Sequence, residues 1–256
     1  MKTKLPILAI IALLCITPNM VSAQFEGEIQ YTRYAVDGTT LEQQESGKMS
    51  ILFTPERILL NNLDDVSDVK VMGAAKAGSI LVRLDKEDFL IMDGDSNALK
   101  LTPRDLQSMS GLMKGFGSGT TNQSETQNRY KITETANTRE ISGYKAKKFM
   151  LLDTSNPDDR LDIWMTETLK INWGMLTGDW LKESNDLLTG GFPYDKLVQK
   201  DRLPLLIEEY KQDQLVDKLI ATKISERSIP DSSVDLPKGV KALTLQQFMM
   251  KGLSGN

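Results

Sequence analysis

The sequence predicts a mainly β (α+β) protein, a curved antiparallel sheet or half-open barrel with two or three helices. Three observations predict it. About ten short segments alternate apolar and polar residues, the period of a strand with one buried face. The links between them are short and rich in Gly, Pro, Asn and Asp, which favours hairpins between neighbours. Only a few stretches change to a helical period.

A leader stands before the first strand. Lys2 and Lys4 precede an apolar run from Leu5 to Ile16, and Val21, Ser22 and Ala23 supply the small residues of a cleavage site. Residues 1–23 are therefore expected to be a signal peptide cut between Ala23 and Gln24. Pro6 and Pro18 bracket a run shorter than the roughly 20 apolar residues of a membrane span, so none is expected after cleavage. Cys15, the single cysteine, follows Leu13 and Leu14, whereas a lipidation signal wants Gly or Ala just before the cysteine. It is expected to leave with the leader. Gln24–Asn256 then forms a single β-rich domain, exported to the periplasm or beyond.

The strands follow in order. In "FEGEIQYTRYAV", Phe25, Gly27, Ile29 and Tyr31 share one face. "GKMSILFTPERILLNNL" reads as two strands about a turn at Thr54-Pro55-Glu56. "SILVRLD", "DFLIMD" and "ALKLT" form a meander with turns at Lys86-Glu87 and Gly94–Asn97. From Pro103 the period lengthens, and Leu106, Met109, Leu112, Met113 and Phe116 mark a helix. Residues 117–128, without an apolar side chain, read as a flexible loop. "YKITETANTREISGYKAKKFMLLD" resumes the strands, and "RLDIWMT" answers it across "TSNPDD". Met175, Leu176, Trp180, Leu187 and Leu188 mark a second helix. "LPLLIEEY" and "LVDKLIATKISER" form another antiparallel pair before an amphipathic tail, "TLQQFMMKGL".

Composition removes whole classes of chemistry. The chain has no histidine and, past the leader, no cysteine. That excludes thiol nucleophiles and disulfides, and most zinc, iron and copper sites. No cofactor and no enzymatic activity are expected. Loss of Lys2 and Lys4 moves the net charge from −4 to −6 with no basic block, so no nucleic-acid partner is expected.

The remaining motifs are weak. Asp93, Asp95 and Asn97 alternate like the start of a calcium loop, but Ala98 and Arg104 stand where Gly and Glu are needed. Asp153, Asp158, Asp159 and Asp162 could gather round a cation, yet Pro157 and Arg160 suit a solvated turn better. Gly73 to Ile80 approaches a phosphate loop but lacks its Lys-Ser/Thr ending. Ser67 with Lys70, and Ser142 with Lys145, match Ser-x-x-Lys without its companion motifs. Glu208 and Glu209 carry no sign of convergence with other carboxylates.

"ISGYKAKKFMLLD" followed by "LDIWMTETLKINW" resembles a family of uncharacterised exported bacterial proteins, a domain of unknown function. The layout is more distantly similar to the half-open barrels of the periplasmic lipoprotein carriers. That resemblance implies a curved sheet wrapped around helices, and an apolar cavity for acyl chains. Met109, Met113, Phe116, Trp164, Trp173 and Trp180 are the candidate ligand contacts, for a lipid or other apolar small molecule. The alternative is an envelope protein with a filled core that binds a protein partner through its surface. The same apolar residues then simply fill that core.

Overall fold

The computed structural model describes residues 24–37, 40, 42–66, 70–71, 75–92, 94, 96–108, 130–178, 197 and 201–254. Its centre is the alternating segment after the leader. Strand β1 (Gly27–Val36) pairs antiparallel with β2 (Gln43–Phe53) on one side and with β13 (Gln214–Glu226) on the other. β13 approaches so closely that a Cβ on Gly27 would lie 2.2 Å from the Ser225 carbonyl oxygen. Only glycine fits there.

From β2 the sheet continues through β3 (Arg57–Asn61), β6 (Ser79–Arg83), β7 (Asp88–Met92) and β8 (Asn97–Leu101) to β14 (Lys241–Thr244). From β13 it continues through β12 (Leu203–Lys211), β11 (Asp159–Thr166) and β10 (Tyr144–Asp153) to β9 (Tyr130–Ile141). The result is one curved, open sheet of 12 strands. A separate two-stranded piece joins β4 (Lys70–Val71) to β5 (Ala75–Lys76).

The curvature has a local cause. Register shifts interrupt β1/β13, β1/β2, β12/β13, β11/β12 and β10/β9. Such bulges bend a strand and increase its twist. The ladders from β2 to β8 carry no shift.

Two turns have local causes. Ser142 and Gly143 (φ +50° and +83°) close the β9–β10 hairpin with both central residues in the left-handed region, as a type I′ turn requires. Asp153 closes the longer connection, accepting hydrogen bonds from Ser155 N at 2.9 Å and Ser155 Oγ at 2.5 Å.

Apolar clusters pack on both faces of the sheet. The main cluster joins Ile29, Phe53, Ile58, Leu203, Leu205 and Leu206 to Leu169 and Ile171 of the segment after β11. Phe53 anchors it, meeting Phe25 and Trp173 edge-on at 5.7 and 6.1 Å. The opposite face of β3, β6, β7 and β8 packs on Ile229 and Val234. Leu99 and Leu101 meet Leu106 and the tail residues Leu245 and Phe248.

Helices are minor. Helix α1 (Leu63–Val66) and the β4–β5 piece have no mark in the sequence, because both are too short for periodicity to show. Residues 103–108 of the expected first helix are helical. In the stretch expected to be the second, the described residues form a 3-10 turn, Gly174–Thr177, that ends at extended Gly178, and the remainder of both stretches lies outside the described residues. The tail forms helix α2 (Leu245–Ser254). β14, just before it, is likewise unmarked in the sequence. It pairs parallel with β8, the single departure from an antiparallel sheet among the described residues. No described helix is long and apolar enough to cross a membrane.

Candidate functional site

A recess of about 740 Å³ opens where β9, β10 and β11 meet the segment after β11. Its floor follows from strand alternation. Lys145, Lys147 and Phe149 share one face of β10, and Met165 of β11 lies opposite Lys147. β9 adds Glu134, Ala136 and Thr138. The wall comes from Glu167 to Ile171. Leu169 and Ile171 are buried in the main cluster, so Thr168 and Lys170 alternate outward into the recess. Phe25 N donates to the Lys170 carbonyl at 2.9 Å and ties this wall to the start of β1.

Arg202 enters from just before β12. It is buried, and its guanidinium stacks 4.7 Å over the Phe149 ring. Its Nε donates to Glu167 Oε1 at 2.8 Å, and its Nη2 lies 3.8 Å from Glu134 Oε2. Glu134 also pairs with Lys147. Lys145 and Lys170 make no ion pair among the described residues. Four cations thus face two carboxylates over a floor of Phe149 and Met165.

The two described tryptophans lie outside this lining. The Trp173 indole Nε1 donates to the Arg202 carbonyl at 3.0 Å while its ring packs on Phe53. It fixes the backbone from which Arg202 projects. Trp164 Nε1 donates to Glu208 Oε2 at 3.1 Å, with Arg139 and Lys148 at 5.9 and 5.8 Å from its ring. Met109, Met113, Phe116, Trp180 and Ala23 lie outside the described residues, as do Cys15, Asp93, Asp95, Ser67 and the 117–128 segment. Gln24 is exposed, one residue before buried Phe25.

The weaker motifs separate in space. Asp162 is buried on β11 against Lys148 Nζ at 2.5 Å, while Asp153 caps its turn and Asp158 is exposed. Arg160 Nε lies 3.2 Å from Asp162 Oδ1 without the alignment of a hydrogen bond. No group of three or more acidic side chains among the described residues could hold a metal ion. Ser142 donates from Oγ to the Ala221 carbonyl at 2.6 Å from within a hairpin turn, so it fastens that turn to β13.

The recess itself was half legible. "YKAKKF" places Lys145, Lys147 and Phe149 on one strand face, a sign that this face does not bury completely. Arg202 could not be foreseen, because nothing local brings it to Phe149.

No family model matches the sequence, and no curated protein matches it. Solved structures match it at low scores. PNGF-II is 12% identical over 90% of this chain and 34% of its own, with a TM-score of 0.45. An uncharacterised conserved protein from Thermus thermophilus is 6% identical over 86% of this chain and 91% of its own, at 0.40. The MucA/MucB complex of Pseudomonas aeruginosa contains a chain 10% identical over 85% of this one and 59% of its own, at 0.38. This chain spans about a third of the length of PNGF-II.

Proposed function

We propose that this chain is an exported, non-enzymatic envelope protein that binds a protein partner through its surface, at the recess beside β9. The observation that carries the reading is the packing of the described strand faces. An acyl-chain carrier needs a dry apolar cavity, whereas the described strand faces meet Phe53, Ile171, Leu203, Leu205 and Val234 at close packing. The recess beside β9 has a mixed, charged lining suited to peptide side chains. Absence of histidine, the engagement of Ser142 with backbone, and neutralisation of Glu134 and Glu167 by cations support a role without catalysis.

The test combines two measurements on chain exported from a bacterial cell. Detergent-free native mass spectrometry gives the intact mass and any co-purifying lipid. A photo-crosslinking residue at Thr138, on the recess lining, gives covalent adducts in cells. A chain starting at Gln24, free of lipid and crosslinked to an identifiable protein, is the expected result. A stoichiometric lipid together with no protein adduct overturns the reading.

A further inference from the structure

We infer that the recess takes an extended acidic segment of a partner protein, laid along the outer edge of β9 with its carboxylates on Lys145, Lys147 and Lys170. The inference rests on the protein-binding reading and adds the chemistry and docking mode of the partner.

β9 ends the sheet, and among the described residues no strand pairs with its outer edge. Such an edge presents unpaired N–H and C=O groups to an added strand. Its residues Glu134, Ala136 and Thr138 line the recess. A strand placed alongside would therefore project alternate side chains over the same recess.

The register is limited by a bulge. Opposite Lys147 and Phe149 stand Thr138 and Glu134, so β9 carries extra residues over 135–137. Thr135 Oγ1 donates to the Lys148 carbonyl there and holds the bulge in place. Bulges stop regular pairing. The usable stretch is Thr138–Ile141, next to Tyr144–Lys147 and so beside Lys145 and Lys147.

Charge selects the occupant. Glu134 is engaged by Lys147 and Arg202, and Glu167 by Arg202. Lys145 and Lys170 are exposed and make no ion pair among the described residues, even with Glu140 opposite Lys145. This cationic spot sits on a chain of net charge −4, so it is a local feature and not the general surface.

The experiment selects from a display library of random dodecapeptides against the chain from Gln24. A Lys145→Glu/Lys170→Glu double variant serves as counter-target and Lys86→Glu/Lys238→Glu, at exposed turns, as charge-matched control. Circular dichroism and melting of both variants verify folding. The expected winners carry Asp or Glu at alternate positions. They bind the recess variant at least about tenfold more weakly than the parent and the control variant, and lose as much when alternate backbone nitrogens are methylated. Winners without acidic residues, or retained equally by Lys145→Glu/Lys170→Glu, overturn the recess inference while leaving protein binding intact. Methylated peptides that bind as well as the parent overturn edge docking. No selected peptide together with a co-purified lipid overturns both this inference and the protein-binding reading.

Discussion

Replacing Asp88 by Asn is expected to destabilise the chain by about 3 kcal/mol, the lower end of the range for breaking a buried ion pair. The reason lies in a charge cluster at one end of β3, β6 and β7. Arg57 and Arg83 stand directly opposite each other across β3 and β6, an arrangement of like charges that costs stability unless neutralised. Asp88, cross-strand from Arg83 on β7, is buried at 1% exposure. Its carboxylate takes both Arg83 Nε and Nη2 at 2.6 Å, with Lys100 Nζ at 3.3 Å. That hydrogen bonding holds the Arg83 guanidinium above its ordinary pKa. Asn keeps one acceptor, loses the charge and turns an amide toward the guanidinium. Asp85 and Asp235 still face Arg57, which keeps the cost below the top of the range. Urea unfolding followed by tryptophan fluorescence measures it, with Arg83→Met/Asp88→Leu as the companion variant. That double change removes both charges and is expected to cost less than Asp88→Asn alone. A loss under about 1 kcal/mol for Asp88→Asn would refute the neutralising role.

Three more outcomes are expected. The Glu28 carboxyl is held below its ordinary value by hydrogen bonds from Gln30 and Arg227, and Asp235 by the Leu236 N–H. Their contribution is therefore present above the unfolded value near about 4 and lost as pH falls through the lower folded values. Glu28→Gln should flatten the loss of stability between about pH 5 and pH 2, and an unchanged slope would remove Glu28 from the account. Burial pushes the Tyr31 phenol up, with its Oη donating to the Pro204 carbonyl at 2.8 Å. The folded state thus loses relative stability only above the unfolded value near about 10, so Tyr31→Phe should unfold at higher alkaline pH. A Tyr31 that ionises in the folded protein near pH 10, seen by ultraviolet titration against Tyr31→Phe, contradicts this. Gly143→Ala should cost about 1–2 kcal/mol, because alanine resists the left-handed conformation at φ +83°. Thermal melting checks it, and a neutral change would count against the type I′ turn.

The longer strands and several turns follow from local pattern, because they depend on neighbours along the chain. Period-two alternation in "FEGEIQYTRYAV" required β1, and the polar run "TSNPDD" marked the connection that Asp153 closes. The absence of histidine removes imidazole chemistry without any geometry. Periodicity fails for segments too short to show it, such as Leu63–Val66 and Lys241–Thr244. It also cannot tell which strands meet across the chain. β1 pairs with β13, and "YKAKKF" becomes the floor of a recess only when Arg202 arrives over Phe149 with Trp173 holding its carbonyl. The tertiary structure alone decided these matters. Long-range pairing is fixed by the total area buried and the total charge neutralised, and neither quantity is carried by any local stretch of residues.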